Sequence, residues 1–211
     1  MKPASTRRRP AELADHDLIS RESVPALEAV AARYAIAITP AVAELIDPSD
    51  PNDPIAKQYV PSTQELQTQP VERADPIGDD ARSPVEGIVH RYPDRVLLKL
   101  VHVCAVYCRF CFRREMVGPG KETSLSEKAY ATAIDYIRTH PAIWEVILTG
   151  GDPLMLSARR LKEIVDDLAA ISHVRIIRFH TRVPVADPAR VTDEIAEALR
   201  HHDVTDRKSV V

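Results

Sequence analysis

Cys104, Cys108 and Cys111 fall within eight residues, and the 211-residue chain has no other cysteine. Three thiols so close can converge on one metal centre. The spacing alone admits three readings: incidental buried thiols, a structural zinc site, or an iron–sulfur cluster. Zinc usually closes four ligands, and His102 or His90 could supply the fourth. A cluster held by three cysteines leaves one iron open to an outside ligand. The loop directly follows Arg95–Val103 (RVLLKLVHV), a β-branched and leucine-rich run of strand length. The C-terminal end of such a strand is where (β/α) barrels place their active sites, which favours chemistry over scaffolding.

The elements after that loop alternate. Ser124 to about Thr139 reads as a helix with a capping box (Ser124, Glu127) and Leu125, Ala129, Ala133 and Ile137 on one face. Glu145–Thr149 is a second buried strand. Leu161, Ile164, Val165, Leu168 and Ala169 mark an amphipathic helix. Val174–His180 is a third strand, and Thr192 caps a third helix carrying Ile195, Ala198 and Leu199. Three strand–helix repeats predict an α/β fold of parallel βα units. Three units do not close a barrel, so the count is that of half a fold.

Upstream the pattern differs. Nine of the 17 prolines lie between Pro40 and Pro93, which excludes regular helix or central sheet there. Ser23–Tyr34 reads as a helix with Ser23 as cap and Pro25 in its first turn. Asp47–Pro54 is turn chemistry. Arg7, Arg8 and Arg9 are followed by acidic residues instead of an apolar segment, so they read as a frayed start and not a targeting signal. Hydrophobic residues at 45% and charged residues at 28% describe an ordinary globular chain. A net charge of −3 gives no electrostatic case for nucleic acid or membrane. No run approaches the ~18 apolar residues of a membrane span, and the expected location is cytoplasmic. The expected organisation is a disordered start (1–20), a helical and proline-rich arm (21–93), a half-barrel (94–205) and a tail (206–211).

The Cys-x-x-x-Cys-x-x-Cys loop, with Phe110 before its third cysteine, resembles the radical S-adenosylmethionine (SAM) enzymes. Asp50–Pro54, Val60-Pro61, His90–Arg95, Cys111–Arg114 and Gly150–Leu154 together resemble their lysine 2,3-aminomutase family, including a branch that serves elongation factor P. The resemblance implies a partial radical SAM barrel in which Cys104, Cys108 and Cys111 hold a [4Fe–4S] cluster whose open iron chelates SAM. It implies that reduction yields a 5′-deoxyadenosyl radical, and that pyridoxal 5′-phosphate (PLP) carries the amino group migrating from the α- to the β-carbon of lysine. Position by position, it assigns Phe110 to the adenine and Gly150, Gly151 and Asp152 to the methionine end of SAM. It assigns Arg113 to the substrate carboxylate and Arg91, Tyr92 and Arg95 to PLP. His180, Thr181 and Arg182 end the third strand on the catalytic side. The implied partners are a small amino acid and an electron donor, with a homo-oligomer among the states open to it.

Two departures stand out. None of the seven lysines sits in the glycine-rich segment that carries the family's PLP lysine, and the acidic residues expected to recognise the substrate's ε-ammonium also fall beyond this chain. That speaks against turnover by the chain alone and leaves a non-catalytic iron–sulfur and SAM-binding fragment as the rival reading. Residues 206–211 (DRKSVV) are what GAT-CGG-AAG-AGC-GTC-GTG encodes, a string resembling a sequencing adapter. The tail is therefore expected to be non-native, without element or role, on a gene cut short.

Overall fold

The computed structural model describes residues 5–117, 122–201 and, as backbone, 205–210. They divide into two compact units: residues 1–77, 104–121 and 185–188 form the first, and 78–103, 122–184 and 189–211 the second.

The first unit is built from short helices, as its prolines require. α1 (Pro10–Ala14) and α3 (Pro40–Ala43) each begin on proline, whose missing N–H is harmless there, and α2 (Val24–Arg33) and α4 (Ala56–Tyr59) complete the set. Leu13, Ile36, Ile38, Val42, Tyr59 and Val106 form its core. The expected disordered start is corrected here. Arg7 bridges Ile38 through the backbone, and Leu13 is fully buried, because α1 has an apolar face to bury. Residues 1–4 lie outside the described residues. Ser23 does not cap α2: it already has helical torsions after a 3₁₀ turn, and its hydroxyl donates to the Ser20 carbonyl at 2.7 Å. The aspartate-rich run is turn chemistry as expected. Asp47, Asp50 and Asp53 accept from the backbone N–H of Ser49, Asn52 and Ala56 at 2.9, 2.8 and 2.6 Å.

The second unit is an α/β sheet. Its elements run β1 (Ile88–Tyr92), β2 (Arg95–Val101), α5 (Glu127–Thr139), β3 (Glu145–Gly150), α6 (Ala158–Ala169), β4 (Ile176–Thr181), the start of α7 (Val183–Ala186), whose last two residues belong to the first unit, α8 (Asp193–Ala198) and β5 (Thr205–Val210). The strands lie in sequence order, β1 antiparallel to β2 and the rest parallel, in an open sheet. The three expected βα units are present. Val96, Leu98, Leu100, Val146, Leu148, Ile177 and Phe179 are buried on one face, and α5 and α6 add Ala133, Ile137, Leu161, Ile164 and Leu168 to the core. The other face alternates with it and is mixed, carrying Arg95, Leu97, Lys99, Glu145, Ile147, Thr149 and Arg178.

Three readings change. β1 falls inside the proline-rich arm, and it does so as an edge strand, where the following Pro93 is tolerated. The cap of α5 is Ser126, which accepts from Ala129 N at 3.2 Å, and not Ser124. Ser124 is held extended by a bridge to Val101, with Leu125 N donating to Leu100 O at 2.9 Å. The tail expected to carry no element supplies β5, paired from Ile176↔Thr205 to Thr181↔Val210. An open parallel edge offers backbone partners to any extended segment, whatever its side chains. Val211 lies outside the described residues. Thr192 caps α8 as expected, accepting from Ile195 N at 3.3 Å.

Candidate functional site

The cysteine loop lies in the first unit. Cys104, Cys108 and Cys111 are partly exposed, none is in a disulfide, and all three line one cavity of about 50 Å³ with Tyr34, Glu65 and Arg114. Arg109 fixes the loop between its second and third thiols. Its guanidinium donates to Glu65 through Nε at 3.0 Å and Nη2 at 2.6 Å, and through Nη1 to the Ala35 carbonyl at 2.7 Å, while its backbone N–H reaches Gln58 O at 2.8 Å. Both side chains of this pair are nearly buried. Glu65 is held in turn: its Oε1 accepts from Ser62 N at 2.9 Å in a capping box. Tyr107 N donates to Ala37 O at 3.2 Å, which ties the loop to the core a second time.

Tyr34 stands between two cations. The guanidiniums of Arg114 and Arg33 lie 4.5 and 4.9 Å from its ring centre, and its hydroxyl donates to Glu115 at 3.1 Å. Burial first, then the bond to Glu115, pushes its pKa up. Burial also raises the Tyr107 phenol, with the neighbouring Cys104 adding to the shift. Phe110 and Phe112 stay exposed and line an open cleft of about 680 Å³ with Cys111, Arg73 and Arg114. The Arg113 guanidinium lies 4.4 Å from the Phe112 ring centre.

The Gly150–Asp152 turn lies in the second unit, where it organises two strand ends. Gly150 has φ +107°, and a Cβ there would meet the Val101 carbonyl at 2.5 Å; a Cβ on Gly151 would strike the Val103 backbone. Gly151 N donates to Val101 O at 2.5 Å and Asp152 N to Val103 O at 2.9 Å. The glycines thus let β3 approach the exit of β2, the stretch whose next residue is Cys104. Asp152 is 5% exposed, and both oxygens are used within the protein. Oδ1 accepts from Leu154 N (3.0 Å) and Thr181 Oγ1 (2.6 Å), and Oδ2 from the backbone N–H of Arg182 (2.7 Å) and Val183 (3.2 Å). Four bonds saturate a carboxylate. Asp152 therefore ties the end of β3 to the end of β4, a different use from the contact with the methionine end of SAM that the resemblance assigns to it.

Arg91, Tyr92 and Arg95 sit at the turn between β1 and β2, the N-terminal end of the parallel strands. Arg91 pairs with Asp79 at 3.1 Å. Arg95 grips Asp94 with two bonds of 3.0 and 2.8 Å and approaches Glu145 at 3.5 Å. Hydrogen bonds from Arg95 and then Trp144 hold the Asp94 carboxyl well below the usual carboxylate range. Both arginines pair with carboxylates in this structure. His90 Nδ1 lies 2.7 Å from the Tyr136 hydroxyl and His102 Nδ1 3.1 Å from the Glu122 carbonyl. Among the described residues no group of three or more His, Cys, Asp or Glu side chains has the geometry to hold a metal ion. A zinc ion would need such convergence; a cluster asks for less, because each thiolate binds a different iron. The three partly exposed thiols around one cavity fit that donor set.

The sequence profile of the radical SAM superfamily matches residues 98–207, more than half of the chain. The chain belongs to the radical SAM superfamily. That membership implies SAM and an iron–sulfur cluster. Within the superfamily the chain is similar to proteins named L-lysine 2,3-aminomutase. It is 44% identical to that of Clostridium subterminale over 79% of this chain and 40% of the relative. It is 44% identical to that of Methanococcus maripaludis over 80% and 39%, and 34% identical to that of Escherichia coli K12 over 79% and 48%. The resemblance read from the motifs is borne out, and the match spans less than half the length of each of these relatives. Glu65 and Asp79 are what the sequence reading missed. The Ser62-x-x-Glu65 capping signature was a visible signal for the first, and no local signal marks the second.

Proposed function

We propose that the chain carries the cluster- and SAM-binding part of a radical SAM aminomutase acting on an amino acid, with lysine as the substrate. The observation that carries this reading is the placement of Cys104, Cys108 and Cys111 around one cavity on a single braced loop. The three thiolates would hold the cluster, and the cluster with SAM would supply a radical able to abstract hydrogen from the substrate. Arg109, clamped by Glu65, holds the loop between Cys108 and Cys111. Phe110, exposed beside Cys111, offers a ring face to the adenine. Arg113 offers a guanidinium fork to the substrate carboxylate. Gly150, Gly151 and Asp152 position the chain leading into Cys104. An outside one-electron donor would reduce the cluster.

Anaerobic reconstitution with iron and sulfide tests the reading. Bound iron and sulfide in cluster proportion, charge-transfer absorbance, and a change in the spectrum of the reduced cluster on adding SAM are expected. Each Cys→Ala variant should lose them. Binding of zinc in place of iron and sulfide would sink the proposal. Cluster and SAM binding without β-lysine formation would identify the chain as the binding part alone. That outcome is favoured by the match to less than half of each relative.

A further inference from the structure

On the mixed face of the sheet, Lys99 of β2 and Thr149 of β3 are in-register neighbours. Adjacent strands lie about 4.8 Å apart, and paired residues of parallel strands project to the same side. Lys99 is 7% exposed and Thr149 3%. Neither side chain has a hydrogen bond or ion pair among the described residues. The other cations on this face are accounted for: Arg95 is paired with Asp94 and Glu145, and Arg178 reaches Glu145 at 2.5 Å. Glu145 therefore serves two guanidiniums and leaves Lys99 as a surplus positive charge. The ammonium and the hydroxyl both keep a little solvent access, and they are donors set side by side.

We propose that Lys99 and Thr149 form a binding site for a compact oxyanion, a carboxylate or a phosphate presented by a bound ligand. The ammonium supplies the charge and the hydroxyl a second donor. A cationic group would be repelled here, so an amino acid held at this place enters by a carboxylate, and a cofactor enters by a phosphate.

The probes are inorganic phosphate and glutarate, with reductive methylation of Lys99 followed by peptide mass mapping in the intact chain. One or both anions should slow methylation of Lys99 while leaving the exposed Lys57 unaffected. Protection by phosphate alone identifies a phosphate-bearing ligand, and protection by glutarate alone a carboxylate. K99M should weaken binding of the protecting anion about tenfold or more, T149V less, and K99R should retain part of it. Equal methylation rates with and without both anions overturn the proposal, as does unchanged binding by K99M. The protection measurement uses the wild-type chain, so it stands if K99M fails to fold. It needs no cluster, so its failure leaves the proposed function untouched.

Discussion

Glu65 and Arg109 are 44 residues apart in sequence, yet they form the most completely bonded ion pair in the first unit. Charge pairs in water contribute little, but breaking a buried one leaves the survivor desolvated. Glu65→Ala is therefore expected to cost about 3–5 kcal/mol and to release the segment between Cys108 and Cys111. Urea unfolding measures the first effect, and faster labelling of those two thiols under native conditions measures the second. A stable variant with unchanged thiol rates would mean that the clamp does not hold the loop. Asp152 makes the complementary case. In Asp152→Asn one oxygen becomes an N–H₂ group facing either the backbone N–H donors of Arg182 and Val183 or the Leu154 N–H and the Thr181 hydroxyl. The expected loss is about 2–3 kcal/mol, read by thermal melting against wild type.

At the scale of elements, the meeting of β2 and β3 depends on absent side chains. Gly151→Ala drives a methyl into the Val103 backbone, whereas Gly78 has nothing within 4 Å of the corresponding position and only its φ of +70° to oppose a side chain. Gly151→Ala should lower the melting temperature well beyond Gly78→Ala, for which about 1 kcal/mol is expected. The pairing of α5 with α6 carries a pH signature. Tyr130 on α5 donates to Asp167 on α6 at 2.8 Å, and burial, then that bond, raises its pKa far above the ordinary 10.0. Above pH 10 the unfolded chain has lost this proton and the folded one has kept it, so stability falls as pH rises. Tyr130→Phe should flatten that alkaline decline in urea midpoints, at a cost of about 1 kcal/mol near neutrality. These elements were legible in sequence because their apolar spacing is strong: EVILT and the Leu161–Ala169 stripe need no tertiary information. β1 was hidden because its neighbours are prolines and its side chains turn polar by His90. The cap of α5 was misplaced by two residues because the bridge to Val101, a tertiary contact, takes Ser124 first. In the site, three thiols at close spacing were legible, but the Glu65–Arg109 clamp and three of the four bonds to Asp152 join residues tens of positions apart.

For the molecule as a whole, the two sides of the sheet differ. β1 guards one side as a short strand with an irregular register and a proline at its end, devices that discourage pairing with another chain. β4 has no such protection of its own. It is fully parallel, Ile177 and Phe179 are buried, and among the described residues it is β5 that covers its hydrogen-bonding edge along Ile176–Thr181. Because that cover is made by backbone pairing, it should tolerate changes in side chains but not loss of the segment. Deleting residues 205–211 is therefore expected to leave β4 as a template for a second chain and to raise self-association with concentration in sedimentation velocity. Replacing the same residues by another β-prone sequence of equal length should restore the original behaviour. If the deletion variant sediments as the intact chain does at every concentration, the edge of β4 is covered by something other than β5.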